Sequence, residues 1–190
     1  MDLTVPFLRK GIGHTPKQGG CIMQVVDWMN RHEWTDRPPC VHPFIRDVAL
    51  MANDFLDNKD RQSLLSLAST LSDTRSDDIS VDIDLCRFAD IYASDNHLGS
   101  YYCRSNVVKC KIREMLELQD ALCDPRYIRA KGLDVIEHVC QTIALDIGGG
   151  GMFAFLVAIL DEYDRLTGRN VDELEEIDWA SVCEVMAHAT

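Results

Sequence analysis

Apolar residues recur along most of this chain with the spacing of amphipathic helices. Ile22, Val25, Val26 and Met29 follow an i, i+3, i+4, i+7 pattern, and similar patterns begin at Phe44, Leu64, Val81, Val108 and Val135. A wholly apolar run from 152 to 160 opens a further helix, which we expect to be buried because it offers no polar face. Period-two alternation is weak and confined to 79–83 and 101–108. The pattern predicts an all-α fold, a compact bundle of seven to eight helices with one buried central helix at about 152–166.

Residues that favour helix ends divide the pattern into segments. Pro43 suits the first position of the second helix, and Gly168 suits a left-handed C-cap after the apolar helix. Further capping candidates are Asn170 with Glu173, and Asp178 before the last helix, while Asp124-Pro125 is expected to end the fifth helix. The polar stretch 72–80 indicates a loop. At 190 residues we expect a single helical domain, 1–190, with residues 1–18 extended or loosely ordered.

The formal net charge of −12 narrows the choice of partners. Acids cluster in two places: Asp73, Asp77, Asp78, Asp82 and Asp84, then Asp172, Glu173, Glu175, Glu176 and Asp178. Such a surface repels phosphate backbones and disfavours a broad nucleic-acid footprint. It favours either a solvated surface or one that docks onto a basic partner, including by imitating nucleic acid. Basic residues from 104 to 131 alternate with acids, which indicates a salt-bridged helix face.

The hydropathy pattern and the spacing of the cysteines predict the cellular compartment. No apolar run approaches the roughly 20 residues of a membrane span, and the first six residues lack the features of a signal peptide. We therefore expect a cytoplasmic protein with no membrane partner. Its eight cysteines include no Cys-x-x-Cys pair, so we expect reduced thiols. Cys86, Cys110, Cys140 and Cys183 fall in apolar helical patterns and are expected to be small core residues.

The stretch from His14 to Pro43 combines histidines, cysteines, prolines and glycines around one predicted helix. His14, Cys21, Cys40 and His42 are the candidate metal ligands, because imidazole and thiolate both bind zinc. Their spacing matches no zinc module, however, and nucleophilic use of Cys21 or Cys40 would require a lowered pKa. The favoured interpretation is structural: Cys40 fills the core and His42 caps the second helix. On that interpretation the protein has no cofactor.

Two other groups of residues are weaker candidates for chemistry. Gly148 to Gly151 open the apolar helix, where backbone N–H groups can bind an anion, but no strand precedes them and no Lys-Ser or Lys-Thr follows. We expect a close-packed turn or a hinge. Among the acids, Asp90, Asp95 and His97 form one candidate cluster, and Asp161, Asp164 and Arg165 another. Close carboxylates are expected by chance in so acidic a chain.

The motif Gly19-x-Cys21-x-Met23, then Trp34-x-Asp36-x-Pro38-x-Cys40-x-His42-Pro43, resembles a family of small proteins of actinobacteria and their phages. That family has no activity attached to it. This chain carries Gln24 where the family pattern has Glu, and Val41 where it has Thr. The similarity continues through Asn53-Asp54, Asp60-Arg61-Gln62 and Leu64-Leu65, and it ends near Thr74. The resemblance implies a cytoplasmic protein that is phage-encoded or from a phage host.

These observations favour an acidic helical protein-interaction module that acts on a host macromolecule. The alternatives are a small metal-binding protein or hydrolase that uses the His/Cys cluster, and a virion structural or assembly component. A homodimer is compatible with the apolar helical patterns. The sequence identifies no catalytic residue.

Overall fold

The computed structural model describes residues 6–31, 33–96, 105–171 and 177–188. These residues form eight α-helices and no β-strand, which confirms the predicted all-α bundle. The helices are α1 (Ile22–Arg31), α2 (Pro43–Phe55), α3 (Ala68–Leu71), α4 (Ile79–Asp95), α5 (Ser105–Asp120), α6 (Pro125–Asp146), α7 (Gly149–Thr167) and α8 (Trp179–His188). Two 3₁₀ helices span Pro16–Gln18 and Asp60–Leu67.

Local chemistry sets the helix ends largely as the sequence predicts. Pro43 occupies the first turn of α2, and the His42 side chain caps that helix by accepting from the Phe44 N–H. Asp124 caps α6 by accepting from the Arg126 N–H at 2.9 Å. Gly168 ends α7 in the left-handed conformation, with φ of 69°. Asp178 accepts from the Ala180 N–H at the start of α8. The Asn170–Glu173 cap lies partly outside the described residues.

The core lies between α2, α4, α6 and α7, with α5 packed on α4 and α6. The helix predicted to be buried contributes a core stripe of Met152, Phe155, Leu156, Ile159, Leu160 and Tyr163. It is not enclosed on every side, because Ala154 is exposed. Helix α2 is more enclosed, since Phe55 is the only exposed residue among its thirteen. Small residues permit the close packing: a Cβ on Gly132 of α6 would collide with the Phe44 ring of α2.

Several local predictions need correction. The predicted third helix is mostly 3₁₀, over Asp60–Leu67, and within it the Ser63 and Ser66 hydroxyls donate to carbonyls three residues earlier. The predicted loop 72–80 ends sooner, since α4 begins at residue 79 behind the Asp78 cap. The strand candidate 79–83 therefore lies in α4. Of the other strand candidate, residues 105–108 lie in α5 and 101–104 are outside the described residues.

The four cysteines predicted to lie in the core differ in exposure. Cys86 and Cys140 are buried, Cys183 is half-buried and Cys110 is exposed. The Cys110 prediction is wrong because α5 turns its Val108, Ile112 and Met115 inward, and a residue two positions from Val108 points away from that face. No disulfide joins the seven cysteines within the described residues, as expected.

No helix within the described residues is long and apolar enough to cross a membrane.

Candidate functional site

The four candidate metal ligands do not form a binding group. His14 is exposed, Cys40 is half-buried, and Cys21 and His42 are buried. Across the part of the chain that the structure describes, no three His, Cys, Asp or Glu side chains are arranged to hold a metal ion. The alternative of a zinc site therefore has no geometric support among the described residues.

His42 instead belongs to a buried ionic network. Its Nδ1 accepts from the Phe44 N–H at 3.2 Å, so a neutral ring carries its proton on Nε2. Nε2 lies 2.8 Å from Oδ1 of Asp82, and both side chains have no solvent exposure. The other oxygen of Asp82, Oδ2, accepts from Nε of Arg129 at 3.0 Å. The network thus joins the start of α2, the first turns of α4 and the first turns of α6.

Neighbouring groups hold this network in place. The Thr74 hydroxyl accepts from the His42 N–H at 3.1 Å and donates to the Leu71 carbonyl at 3.0 Å. The Tyr163 ring lies beside the imidazole, with ring centroids 5.8 Å apart. Both ring nitrogens of His42 face partners inside the protein, so His42 has no free nitrogen to act as a general base. We conclude that the network is structural.

Sequence reasoning missed two of its members. Asp82 was expected among the solvated acids, but it is fully buried. Arg129 was expected on a salt-bridged helix face, whereas it reaches Asp82, 47 positions away, and donates to the Ser76 carbonyl at 3.2 Å. One signal was available: Asp82 lies between Val81 and Ile83 at the start of an apolar helix. A buried carboxylate needs charged or hydrogen-bonding partners, but the sequence does not say which.

The buried thiols are poor nucleophiles. Burial raises the pKa of the Cys21 thiol to about 11 and raises the pKa of the Cys140 thiol well above its usual value. Burial, followed by the negative charge of Asp82, raises the pKa of Cys86. Cys86 also donates to the Gly132 carbonyl at 3.7 Å. Cysteine catalysis needs the opposite shift, so these three residues do not form a nucleophilic site.

The residues of the family-like motif surround a different feature, which we call the N-terminal strap (residues 7–20). Gln62 binds both backbone groups of Leu8: its Oε1 accepts from the N–H at 3.0 Å, and its Nε2 donates to the carbonyl at 2.8 Å. Asn53 donates to the Arg9 carbonyl at 2.9 Å, and Asp54 accepts from the Gly11 N–H at 2.9 Å. These side chains fasten the strap to the C-terminal half of α2 and to the adjacent 3₁₀ helix.

Gln24 of α1 fastens the other half of the strap in the same way. Its Oε1 accepts from the Gly13 N–H and its Nε2 donates to the Gly13 carbonyl, both at 2.8 Å. Trp34 donates to the same carbonyl at 2.9 Å. The amide of Gln24 therefore uses one donor and one acceptor, which an ionised Glu could not supply. At this position of the motif the structure shows a backbone-binding residue.

The remaining candidates have structural contacts. Gly149 lets the start of α7 approach the end of α2, because a Cβ there would lie 2.6 Å from the Phe55 carbonyl oxygen. Gly148 has a positive φ of 81°. In the second acidic cluster, Asp164 pairs with Arg169 at 2.6 Å and Arg165 with Glu162 at 2.7 Å. His97 of the first cluster lies outside the described residues.

The basic residues of α5 and α6 carry ion pairs between the two helices. Lys111 pairs with Asp134 at 2.9 Å, and Lys131 with Glu114 at 3.0 Å. Lys111 and Lys131, which the sequence places on a salt-bridged helix face, therefore form ion pairs that join neighbouring helices.

A second group of charges lies in the segment before α4, on α4 itself and on the last turns of α7. Between residues 73 and 95 the chain has seven carboxylates and two arginines, and the last turns of α7 add three carboxylates and one arginine. The two segments are close, because Asp84 acts electrostatically on Arg165 and Asp73 acts on Tyr163. We call the charged residues of 73–95 other than Asp82, together with those of 161–167, the acidic surface. Asp73, Asp77, Asp95 and Asp161 are exposed.

Comparison with protein-family models, curated proteins and solved structures gives no match for this chain. The resemblance to the actinobacterial and phage family stays a prediction.

Proposed function

We propose that this protein is an acidic protein-interaction module that binds a basic macromolecule, with protein favoured, through the acidic surface. The observation that carries the proposal is the concentration of carboxylates just before α4, on α4 and at the end of α7, within a chain of net charge −12. The exposed ones are Asp73, Asp77, Asp78, Asp95 and Asp161. Charge complementarity of this kind accelerates association and selects partners of opposite sign.

The ion pairs in the structure support this choice of surface. Lys111 of α5 and Lys131 of α6 are paired with acids of the neighbouring helix, Asp134 and Glu114. On the acidic surface, Asp77 has only a 3.5 Å contact with Arg75, and both side chains are largely exposed. A partner that supplies basic groups there would meet carboxylates that are already near solvent, so the desolvation cost stays low.

The site geometry disfavours the enzymatic alternatives. The predicted His/Cys metal group does not assemble among the described residues, and the buried thiols have raised pKa values. The virion-component alternative stays a prediction that mass spectrometry of purified particles would test.

The test compares two triple variants of equal net charge. The first carries Asp73→Asn, Asp77→Asn and Asp95→Asn, which remove three of the nine negative charges of the acidic surface and leave the Asp78 cap of α4 unchanged. Asn tolerates the positive φ of 58° that Asp73 adopts. Glu117→Gln with Asp120→Asn and Glu184→Gln neutralises three exposed acids elsewhere. Immobilised wild-type and variant chains are exposed to a bacterial lysate at about 0.15 M salt.

We expect a defined partner to be retained by the wild-type chain and by the second triple variant. The first triple variant should lose it, and raised salt should weaken binding to the wild-type chain. Failure to retain any partner, or equal retention by both triple variants, would contradict the proposal.

A further inference from the structure

One apolar side chain lies in the middle of the solvent-facing side of α4. Helix α4 has five exposed residues, and Ile91 is the only apolar one among them, since the others are Ser80, Arg87, Ser94 and Asp95. The Ile91 side chain belongs to a residue that is 57% exposed. A single exposed isoleucine is common on a protein surface, so its surroundings decide what it means.

The residues next to Ile91 extend the apolar surface towards α7. Phe88 and Tyr92 are half-buried, and their ring centroids lie 6.1 Å apart. Residues three apart on a helix are surface neighbours, so Ile91 lies beside Phe88. The ring of Tyr92 lies 4.9 Å from the ring of Phe155 on α7, between centroids. We call Phe88, Ile91 and Tyr92 the apolar strip.

Carboxylates lie at both ends of the apolar strip. With about 100° of rotation per residue, Asp84 and Asp95 lie within about 40° of Ile91 around the axis of α4. The Asp84 side chain is 39% exposed, and Asp95 is an exposed residue. Arg87 is the only base on α4, and Asp84 already pairs with it at 2.9 Å. Residues 84–95 therefore keep a negative charge, with three aspartates against one arginine.

Helix α7 borders the apolar strip along its length. Phe155 contacts Tyr92, and Arg165, ten residues later, feels the charge of Asp84, so α7 runs antiparallel to α4 here. Arg165 is paired with Glu162 at 2.7 Å. The strip thus lies on regular helical surface, where the ridges of a further helix can pack. An apolar centre inside a charged rim is the arrangement found in protein interfaces.

We propose that the acidic surface binds an amphipathic basic helix, whose apolar residues pack on the apolar strip. A helix laid along α4 has the same rise per residue, so its apolar residues meet Ile91 while Lys or Arg one and two turns away meet Asp95 and Asp84. The apolar contact supplies affinity, and the carboxylates select a partner of opposite charge. This inference rests on the proposed function and names the class of partner within it.

The test uses two fluorescein-labelled synthetic peptides of about 18 residues, made only of leucine and lysine in equal numbers. In the helical peptide the leucines recur at i, i+3, i+4 and i+7. In the rearranged peptide the same residues are ordered so that no helix face is apolar. Fluorescence anisotropy measures binding to the full chain at about 0.15 M salt. We expect the helical peptide to bind the wild-type chain at least about tenfold more tightly than the rearranged one.

Two variants show whether the difference depends on the apolar strip. Ile91→Ser removes the centre of the strip and changes no charge, and it should weaken binding of the helical peptide about tenfold. Leu145→Ser is the matched control, because Leu145 is 71% exposed on α6. It should leave the affinity unchanged. In the wild-type chain, titration with the helical peptide should shift the amide NMR signals of residues 84–95 most strongly.

The outcomes separate this inference from the proposed function. Equal affinities for the two peptides, equal effects of Ile91→Ser and Leu145→Ser, or the largest amide shifts outside α4 and α7 would overturn the inference. The proposed function stands in that case if the chain with Asp73→Asn, Asp77→Asn and Asp95→Asn binds both peptides more weakly. Binding that neither this triple variant nor raised salt weakens would contradict the proposed function and the inference together.

Discussion

Nε2 of His42 lies 2.8 Å from Oδ1 of Asp82, and neither side chain is exposed to solvent. The contact joins the cap of α2 to the first turns of α4, and Arg129 extends it to α6 through the other carboxylate oxygen. Three helices that are far apart in the sequence thus meet at one buried carboxylate.

Replacing Asp82 with alanine should destabilise the protein by about 3–5 kcal/mol, because it leaves His42 and Arg129 without their common partner inside the core. Asp84→Ala is the matched control on the same helix, since Asp84 forms only a surface pair with Arg87. Asp84→Ala should lower the free energy of unfolding by less than about 1 kcal/mol. Urea unfolding of both variants measures the difference. Comparable losses in the two would show that the buried network adds no special stability.

Gly132→Ala should destabilise the protein by about 1–3 kcal/mol, although alanine favours helix more than glycine does. The added Cβ would collide with the ring of Phe44, which is fully buried and has little room to move. Gly150→Ala is the control in α7, where a Cβ meets nothing within 4 Å, and it should be neutral or slightly stabilising. Thermal unfolding compares the two. Phe44→Leu should relieve part of the Gly132→Ala loss, and no relief would argue against the collision.

We expect exposed cysteine thiols to be alkylated faster than buried ones. Cys110 is exposed and should react first with iodoacetamide in the native protein. Cys21, Cys86 and Cys140 should stay protected until unfolding, because they are buried and their pKa values are raised. With a pKa of about 11, only about one Cys21 thiol in a thousand is ionised at pH 8. Peptide mapping by mass spectrometry measures each site. Early labelling of Cys21 would contradict the burial of its thiol.

The Asp124→Asn substitution should lower the free energy of unfolding at neutral pH. In acid this difference from the wild-type chain should disappear. The side-chain hydrogen bond from Arg126 comes first among the causes that lower the pKa of Asp124 from 3.8 to about 2. A carboxyl whose folded pKa is lowered stabilises the folded state above its unfolded pKa, and this contribution disappears as pH falls through the folded value. The difference between wild-type and variant unfolding midpoints should therefore shrink between pH 4 and pH 2.

The variant keeps a capping side chain, since Asn also accepts from the helix N–H groups. In a chain that carries Arg126→Gln, the pH-dependent part of the Asp124→Asn effect should be smaller. A difference that is unchanged from pH 5 to pH 2 would rule out the assigned cause.

Much of the secondary structure follows from local chemistry, and the sequence predicted that part well. The Phe44 and Val81 patterns form α2 and α4, and His42 and Gly168 cap helices as predicted. The predictions that failed concern which side chains face the core and which face the solvent. Cys110 was expected inside and lies outside, while Asp82 was expected outside and lies inside.

The hypothesis of a metal site also shows that the sequence does not determine which side chains meet in space. His14, Cys21, Cys40 and His42 have suitable ligand chemistry, but coordination needs convergence in space, which residue type and spacing leave open. The polar side chains that do converge, Gln24, Asn53, Asp54 and Gln62, are ordinary in the sequence. Their shared role became visible only when the strap lay against them.

The sequence by itself determined the helical class, most helix ends and the acidic balance, because periodicity, capping and charge act over a few residues or over the whole composition. Only the tertiary structure decided the His42–Asp82–Arg129 network, the close contact of Gly132 with Phe44, and the fastening of the strap. Each of these joins residues tens of positions apart. Their geometry depends on how the helices pack, and no local pattern encodes it.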